Sequence, residues 1–375
     1  MDLLDNEKNI RDSIPEKMIK SLYAFPGQFK AAENIMLKQK FSFNKKFKNA
    51  LILGVGNSAQ TAYRSIDSLQ INKSNIPIIL NTKPDIPSWV DKDTLVIAVS
   101  HSGDSVEVLR AVDEALDLGI GIFAITTDGK LKEKAASNKN ITIIDYDIDV
   151  ISRMATGYFY VFIVDILNKA GAIDICSDRK DCLLGIDWDE VESALLDFSK
   201  ELAPDVKTYK NPAKRTAINF FNNIPIIYGS NRLTETVCFR LKNQICLNSK
   251  NFAHFNTMPE MDHGEIAAWG MRRELRNKFF VLFISDKDSR TATKTRIEIL
   301  KGILMEKRII FEEIMLEGPS DAVKVFNGIL LADWISVYLA VLNKVDPTMT
   351  RLLDLMKTRF ERVSSSSSAP DILDL

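Results

Sequence analysis

The sequence predicts an α/β protein with two domains, each a parallel sheet flanked by helices. Three observations carry that prediction. Short apolar runs of strand length alternate with longer stretches of helical spacing. The runs are continuous and rich in β-branched residues, with no polar alternation. The whole scheme then starts again in the second half of the 375-residue chain. Continuous apolar strands between helices mark a parallel sheet covered on both faces.

Taken in order, Ala50–Leu53 is the first strand, running through Gly54-Val55-Gly56-Asn57-Ser58 into helical sequence that lasts to Leu69. Ile76–Leu80 and Leu95–Val99 are the next strands. Ser105–Leu118 has helical spacing, with Val106, Leu109, Val112 and Leu116 on one face. Ile120–Ile125 and Ile141–Ile144 complete the first series. Phe159–Val164 is apolar enough for a core or a subunit interface. The restart comes after a polar helix over Asp187–Leu202. Pro225–Tyr228 is a strand running into Gly229-Ser230-Asn231 and a helix over Thr234–Lys242. Phe279–Ile284 is a strand running into Ser285-Asp286 and a helix over Ala292–Met305. Gly54 and Gly229 are 175 residues apart, Ser100 and Ser285 185 apart, so the repeat keeps its order at nearly constant offset. Helices at Leu330–Leu342 and Thr350–Phe360 close the chain. The expected boundaries are 1–170, 171–362 and a disordered Ser-rich tail over 363–375.

Composition excludes several classes. Lys+Arg number 49 against 50 Asp+Glu, a formal net charge of −1, which leaves no basic footprint for nucleic acid or an anionic membrane. The longest apolar candidate, Ile329–Leu342, is interrupted by Asp333 and falls short of the roughly 18 residues of a membrane span. Met1–Glu7 is acidic and polar, unlike a secretory signal, so a cytoplasmic location is expected. The cysteines (176, 182, 238, 246) and histidines (101, 254, 263) show no zinc-ligand spacing, and reduced thiols are expected.

Two loops carry the chemistry. Gly54-Val55-Gly56-Asn57-Ser58-Ala59 follows a strand and opens a helix, where glycines admit an anion to free backbone N–H groups. A dinucleotide-binding turn has the same spacing but expects an acidic residue after the second strand. Asn81-Thr82-Lys83 stands there instead. The second loop, Ser100-His101-Ser102-Gly103-Asp104-Ser105, sets three hydroxyls around a glycine at a helix start. Neutral donors of this kind suit a phosphate monoester on an otherwise neutral metabolite. An ordinary helix cap is the competing reading.

These loops, with Thr126-Thr127-Asp128-Gly129-Lys130-Leu131, resemble the sugar-isomerase (SIS) phosphosugar-binding domain. Further stretches resemble the bifunctional phosphoglucose/phosphomannose isomerases: Ser152-Arg153-Met154-Ala155-Thr156-Gly157-Tyr158, Arg240–Ile245, Pro259–Glu265, Ala24–Gln28 and Asp346-Pro347-Thr348 before Lys357. The resemblance runs over about residues 1 to 360. It implies two SIS domains, each a Rossmann- or flavodoxin-like three-layer sandwich, and aldose–ketose isomerisation of a hexose 6-phosphate through an enediolate, without metal or cofactor. By the same resemblance Gly56, Ser58, Ser100, Ser102 and Ser105 hold phosphate. Arg153 stabilises the enediolate, His263 from the second subunit of a homodimer assists ring opening, and Lys357 reaches the same site.

The family's catalytic Glu lies sixteen residues before the motif histidine, and that position is Leu247. Leucine accepts no proton. Gly264 replaces the family's Asn between His and Glu, and His101 stands where Tyr is common. Glu235, Glu260, Asp262 and Glu265 are the carboxylates near the presumed site in sequence. Two functions follow: an isomerase, or a phosphosugar-binding or regulatory protein that has lost the chemistry.

Overall fold

The computed structural model describes residues 4–70, 74–174, 186–230 and 232–365. Three helices come first, α1 (Glu7–Ser13), α2 (Glu16–Ala24) and α3 (Gln28–Lys38). The first sheet then follows with β1 (Asn49–Gly54), α4 (Asn57–Gln70), β2 (Ile78–Asn81), β3 (Thr94–Val99), α5 (Val106–Asp117), β4 (Ile122–Thr126), α6 (Gly129–Ser137) and β5 (Ile141–Asp145). Its order is β2-β1-β3-β4-β5, all parallel. Helices α7 (Thr156–Lys169), α8 (Trp188–Glu201) and α9 (Pro212–Phe220) lead to the second sheet. There β6 (Ile224–Ser230), α10 (Leu233–Gln244), β7 (His254–Met258), α11 (Arg273–Arg276), β8 (Phe279–Asp286), α12 (Thr291–Glu306) and β9 (Phe311–Leu316) give the parallel order β7-β6-β8-β9. Helices α13 (Asp321–Leu342) and α14 (Arg351–Ser365) end the chain.

The expected two parallel sheets are present, and the second repeats the first four strand positions of the first. Strand alternation explains why both faces are covered. In β1, Ala50 and Ile52 join a large core that also takes Ile227 and Leu282 of the second sheet. Leu51 and Leu53 face the other way, onto Val108, Ala111 and Val112 of α5. The second sheet divides likewise, with Tyr228, Val281 and Phe283 packed on Ile297 and Leu300 of α12. Helices α4, α7, α10 and α13 form the shared layer between the sheets, α4 against α10 and α13 against α10.

Several expectations shift. The closing core helix starts at Asp321, a full two turns before Leu330, and is capped by Ser320 Oγ accepting from Val323 N. By length and composition this helix could cross a membrane, but its residues are buried in the protein's own core. Leu, Ile and Val side chains on every side of it each contribute roughly 1.5–3 kcal/mol by leaving water. Phe159–Val164 lies in α7 and is buried within the chain. Helix α14 runs on to Ser365, past the expected start of the tail at 363; residues 366–375 lie outside the described residues, as do Cys176 and Cys182. Cys238 is a buried free thiol and Cys246 a half-buried one.

Candidate active site

The first crevice lies outside the carboxyl ends of β1 and β3, where the strand order reverses and open parallel sheets bind their ligands. Gly56 sits at φ 84°, a conformation that L side chains avoid, and a Cβ there would meet nothing within 4 Å. Its glycine serves the turn and leaves the loop open to an approaching group.

The serine loop is fixed by backbone packing. Gly103, at φ 72°, lies so close to the β4–α6 turn that a Cβ would fall 1.8 Å from the Asp128 carbonyl oxygen. Gly129, at φ 75°, would meet the Ser102 carbonyl oxygen at 2.2 Å. Thr127 donates through N and Oγ1 to the His101 carbonyl, at 3.2 and 2.7 Å. On this platform Ser100 Oγ and Ser105 Oγ stand 3.1 Å apart, and Ser102 Oγ accepts from Asp104 N at 3.4 Å. Ser105 occupies the N-cap position of α5, yet its side chain caps no backbone N–H, so the ordinary-cap reading fails for it. Ser58 donates to the Ser152 carbonyl at 2.7 Å, joining the first loop to the Arg153 segment.

Arg153 sits on a short 3₁₀ turn, Ser152–Met154, ahead of α7. Its Nε donates to Asn248 Oδ1 at 2.8 Å and its Nη2 to the Pro347 carbonyl at 2.5 Å. Burial, with the nearby Arg240 charge, lowers its pKa to about 10, so it keeps its proton at neutral pH. A half-buried guanidinium with a permanent charge is suited to a developing oxyanion.

A network from the second half of the chain holds this arginine. Arg240 pairs with Asp333 through Nε and Nη2 and donates through Nη1 to the Arg153 carbonyl at 2.8 Å. Gln244 donates to Asp333 Oδ1 at 2.7 Å and accepts from Asn57 Nδ2 at 2.9 Å. Asn248 donates to Ser336 Oγ at 2.9 Å. The positioning roles of Asn57, Gln244, Asn248, Asp333 and Ser336 were not read from the sequence. The signal was there: polar residues at 240, 244 and 248 share one helical face, and Asp333 and Ser336 share another inside an apolar run.

Leu247 lies beside this network, half-buried on the π-turn Ile245–Ser249 that continues α10. Lys250, left-handed at φ 53°, ends the turn and donates to the carbonyls of Leu247, Asn248 and Asp346 at 2.9, 3.2 and 2.8 Å. Burial and the Arg153 charge pull its pKa down to about 8. Three carbonyl acceptors call for the ammonium form, so we read Lys250 as a strap on the turn rather than a base.

The four nearby carboxylates are otherwise engaged or outside the crevice. Glu235 pairs with Arg64 and Asp262 with Arg296. Glu265 accepts from Tyr228 Oη at 2.7 Å, Asn256 Nδ2 at 2.7 Å and His254 Nε2 at 3.0 Å; burial raises its pKa, but these bonds hold it below the usual value. Glu260 is exposed. His101 faces Tyr146 Oη at 3.2 Å, and burial lowers its pKa. His263 and Lys357 are both exposed, with no hydrogen bond or ion pair among the described residues, and neither reaches Arg153. Gly264 has φ −146° and open space around a would-be Cβ, so its backbone demands no glycine.

Residues 209–360 match the family model "Bacterial phospho-glucose isomerase C-terminal SIS domain". A bifunctional phosphoglucose/phosphomannose isomerase of Caldicellulosiruptor bescii is 32% identical over 92% of this chain and 99% of its own. One from Aquifex aeolicus is 30% identical over 84% of this chain and 91% of its own. A D-glucosamine-6-phosphate 4-epimerase of Sulfolobus acidocaldarius is 30% identical over 56% of this chain and 62% of its own. Among solved structures, a hypothetical protein of Thermus thermophilus superposes with TM-score 0.73 at 14% identity, covering 96% of this chain and 94% of that one. The tagatose-6-phosphate ketose/aldose isomerase of Escherichia coli gives TM-score 0.56 at 14% identity, covering 92% and 95%.

Proposed function

Since this chain belongs to the bifunctional phosphoglucose/phosphomannose isomerase family, we propose that it interconverts aldose 6-phosphates with fructose 6-phosphate in the first crevice. The observation that carries the reading is Arg153, half-buried at the crevice and oriented by Asn248 and Pro347. Phosphate binds at Gly56 and the hydroxyls of Ser100, Ser102 and Ser105, with Ser58 joining the loop to the arginine segment. That anchor sets C1 and C2 of the sugar against a fixed guanidinium, which stabilises the enediolate oxygen as charge develops.

His263 and Lys357 complete the site across a homodimer. Two findings support this: both side chains are exposed and unpaired among the described residues, and α14 exposes Leu352, Met356 and Phe360 around the lysine. Solution mass measurement checks the dimer. A substrate bearing a phosphate does not cross bilayers unaided, which supports a cytoplasmic location. The domain division stays at about 170, with both halves contributing to one site.

A second reading is favoured by one observation: Glu235, Asp262 and Glu265 are all held by other partners, so none stands ready to replace the base lost at Leu247. On that reading the crevice binds hexose 6-phosphate without turning it over. A coupled assay with glucose 6-phosphate and mannose 6-phosphate separates the two. Turnover supports the isomerase; thermal stabilisation by either ligand without turnover supports the binding protein.

A further inference from the structure

The second sheet repeats the first at the place that matters. Strands β6 and β8 are the counterparts of β1 and β3, and the order reverses between them. Even the tight turn recurs: a Cβ on Gly54 would meet Ala59 Cβ at 3.0 Å, and one on Gly229 would meet Thr234 Oγ1 at 3.1 Å, five residues on in each case. Outside the carboxyl ends of β6 and β8 lies a cavity of about 330 Å³, large enough for a small metabolite. Arg232 and Thr234 line one wall, Asp286, Asp288, Ser289 and Arg290 the other, with Met258 and Pro259 at the end of β7.

The charges are arranged in two groups. Lys324, nearly inaccessible, reaches Asp286 at 3.1 Å and Asp321 at 3.5 Å and also pairs with Asp288. It offsets one of the two negative charges of the acidic wall and leaves carboxylate oxygens able to accept further hydroxyl donors. Arg232, at φ 74°, is held by Asp321 at 3.1 Å. Arg290 makes no ion pair among the described residues. Cations with hydroxyls suit a phosphate, and tied carboxylates suit the hydroxyls of a polyol.

We propose that this crevice is a second binding site in each chain, for the phosphate monoester of a small polyol. Arg290 and Arg232 take the phosphate, and Asp286 and Asp288 accept from the ligand's hydroxyls. The site uses no residue of the first crevice and does not depend on catalysis there.

Calorimetric titration of the full chain with glucose 6-phosphate tests it, beside inorganic phosphate and glucose as separate probes. Two equivalents of glucose 6-phosphate per chain are expected. Arg290→Ala weakens one of them by about 10- to 100-fold, while a Ser100→Ala/Ser102→Ala variant keeps that one and weakens the other. The Arg290-sensitive event is expected to bind inorganic phosphate more weakly than glucose 6-phosphate, and glucose not at all. A single equivalent untouched by Arg290→Ala overturns the proposal, as does the absence of binding. Equal affinity for inorganic phosphate and glucose 6-phosphate at the Arg290-sensitive event overturns its polyol half. None of these outcomes reads turnover, so failure of the isomerase reading is seen separately.

Discussion

Arg240 and Asp333 meet at two points, Nε to Oδ1 and Nη2 to Oδ2, both at 2.8 Å, with neither side chain exposed. The pair sits at the centre of the layer shared by the two sheets. Its free valences are used: Arg240 Nη1 holds the Arg153 carbonyl and Gln244 adds a donor to Asp333. One buried pair therefore fixes both the helix packing and the backbone of the arginine in the crevice. A buried pair of this kind contributes little net stability over a well-packed apolar one, yet breaking one half is costly because the other charge stays behind. Asp333→Ala is expected to lower unfolding free energy by about 3–5 kcal/mol in urea. An Arg240→Met/Asp333→Leu double variant should lose clearly less than the sum of the single changes. Additive losses would show that the two residues act separately.

Leu247→Glu is the direct test of the proposal that a general base is lost at position 247. The position lies next to Asn248, whose Oδ1 holds Arg153, so a carboxylate there stands near a guanidinium that keeps it ionised. General-base catalysis is worth about 10²–10⁴-fold, and kcat for glucose 6-phosphate is expected to rise by that order. The assay is the coupled one, on wild type and variant side by side. A folded variant with the same measurable kcat as an active wild type means that the base comes from elsewhere in the chain, whereas two inactive proteins favour the binding reading.

The sheets and the two loops after β1 and β3 were legible because they rest on local rules. Continuous apolar runs gave β1, β3, β6 and β8 to within two residues, and Ser100–Ser105 was marked by its own hydroxyls. Strands β7 and β9 were not read, because His254–Met258 is half-polar and Phe311–Leu316 carries two glutamates on a partly exposed edge. The network around Arg153 was hidden for a different reason. Its bonded partners lie 87 to 194 residues apart in sequence, and only the packing of α10 against α13 and of the Arg153 turn against α10 brings them together. Asp333 looked like an interruption of an apolar run, and the structure makes it the anchor of that run.

The bond between His254 and Glu265 predicts a pH-dependent stability. Glu265 raises the His254 pKa above its ordinary 6.5, while hydrogen bonds from His254, Asn256 and Tyr228 outweigh burial and lower that of Glu265 below 4.5. The histidine contribution is complete below 6.5 and fades as pH rises through the folded value. The glutamate contribution is complete above 4.5 and fades as pH falls through its own. The pair therefore contributes most between those two values. His254→Gln should cost more stability at about pH 5.5 than at about pH 8.5, measured by denaturant unfolding at both. A cost independent of pH would mean that the imidazole acts by packing alone.

Two glycines of the first crevice separate conformational strain from steric exclusion. Gly56 and Gly103 share a positive φ, 84° and 72°, so alanine at either is placed in the left-handed region at a cost of about 1–2 kcal/mol. They differ in their surroundings. Nothing lies within 4 Å of a Cβ on Gly56, whereas one on Gly103 falls 1.8 Å from the Asp128 carbonyl oxygen. Gly103→Ala must push the serine loop away from the β4–α6 turn, and with it the bonds from Thr127 to the His101 carbonyl. Its stability loss in urea is expected to be more than twice that of Gly56→Ala. The functional effects should be alike but arise differently. Gly103→Ala displaces Ser100 and Ser102 and weakens protection by hexose 6-phosphate against thermal unfolding. Gly56→Ala puts a methyl group at the proposed phosphate position, and so weakens the same protection at the cost of the left-handed conformation alone. Equal losses of stability in the two variants would show that the serine loop is not locked by its contact with the Asp128–Gly129 backbone.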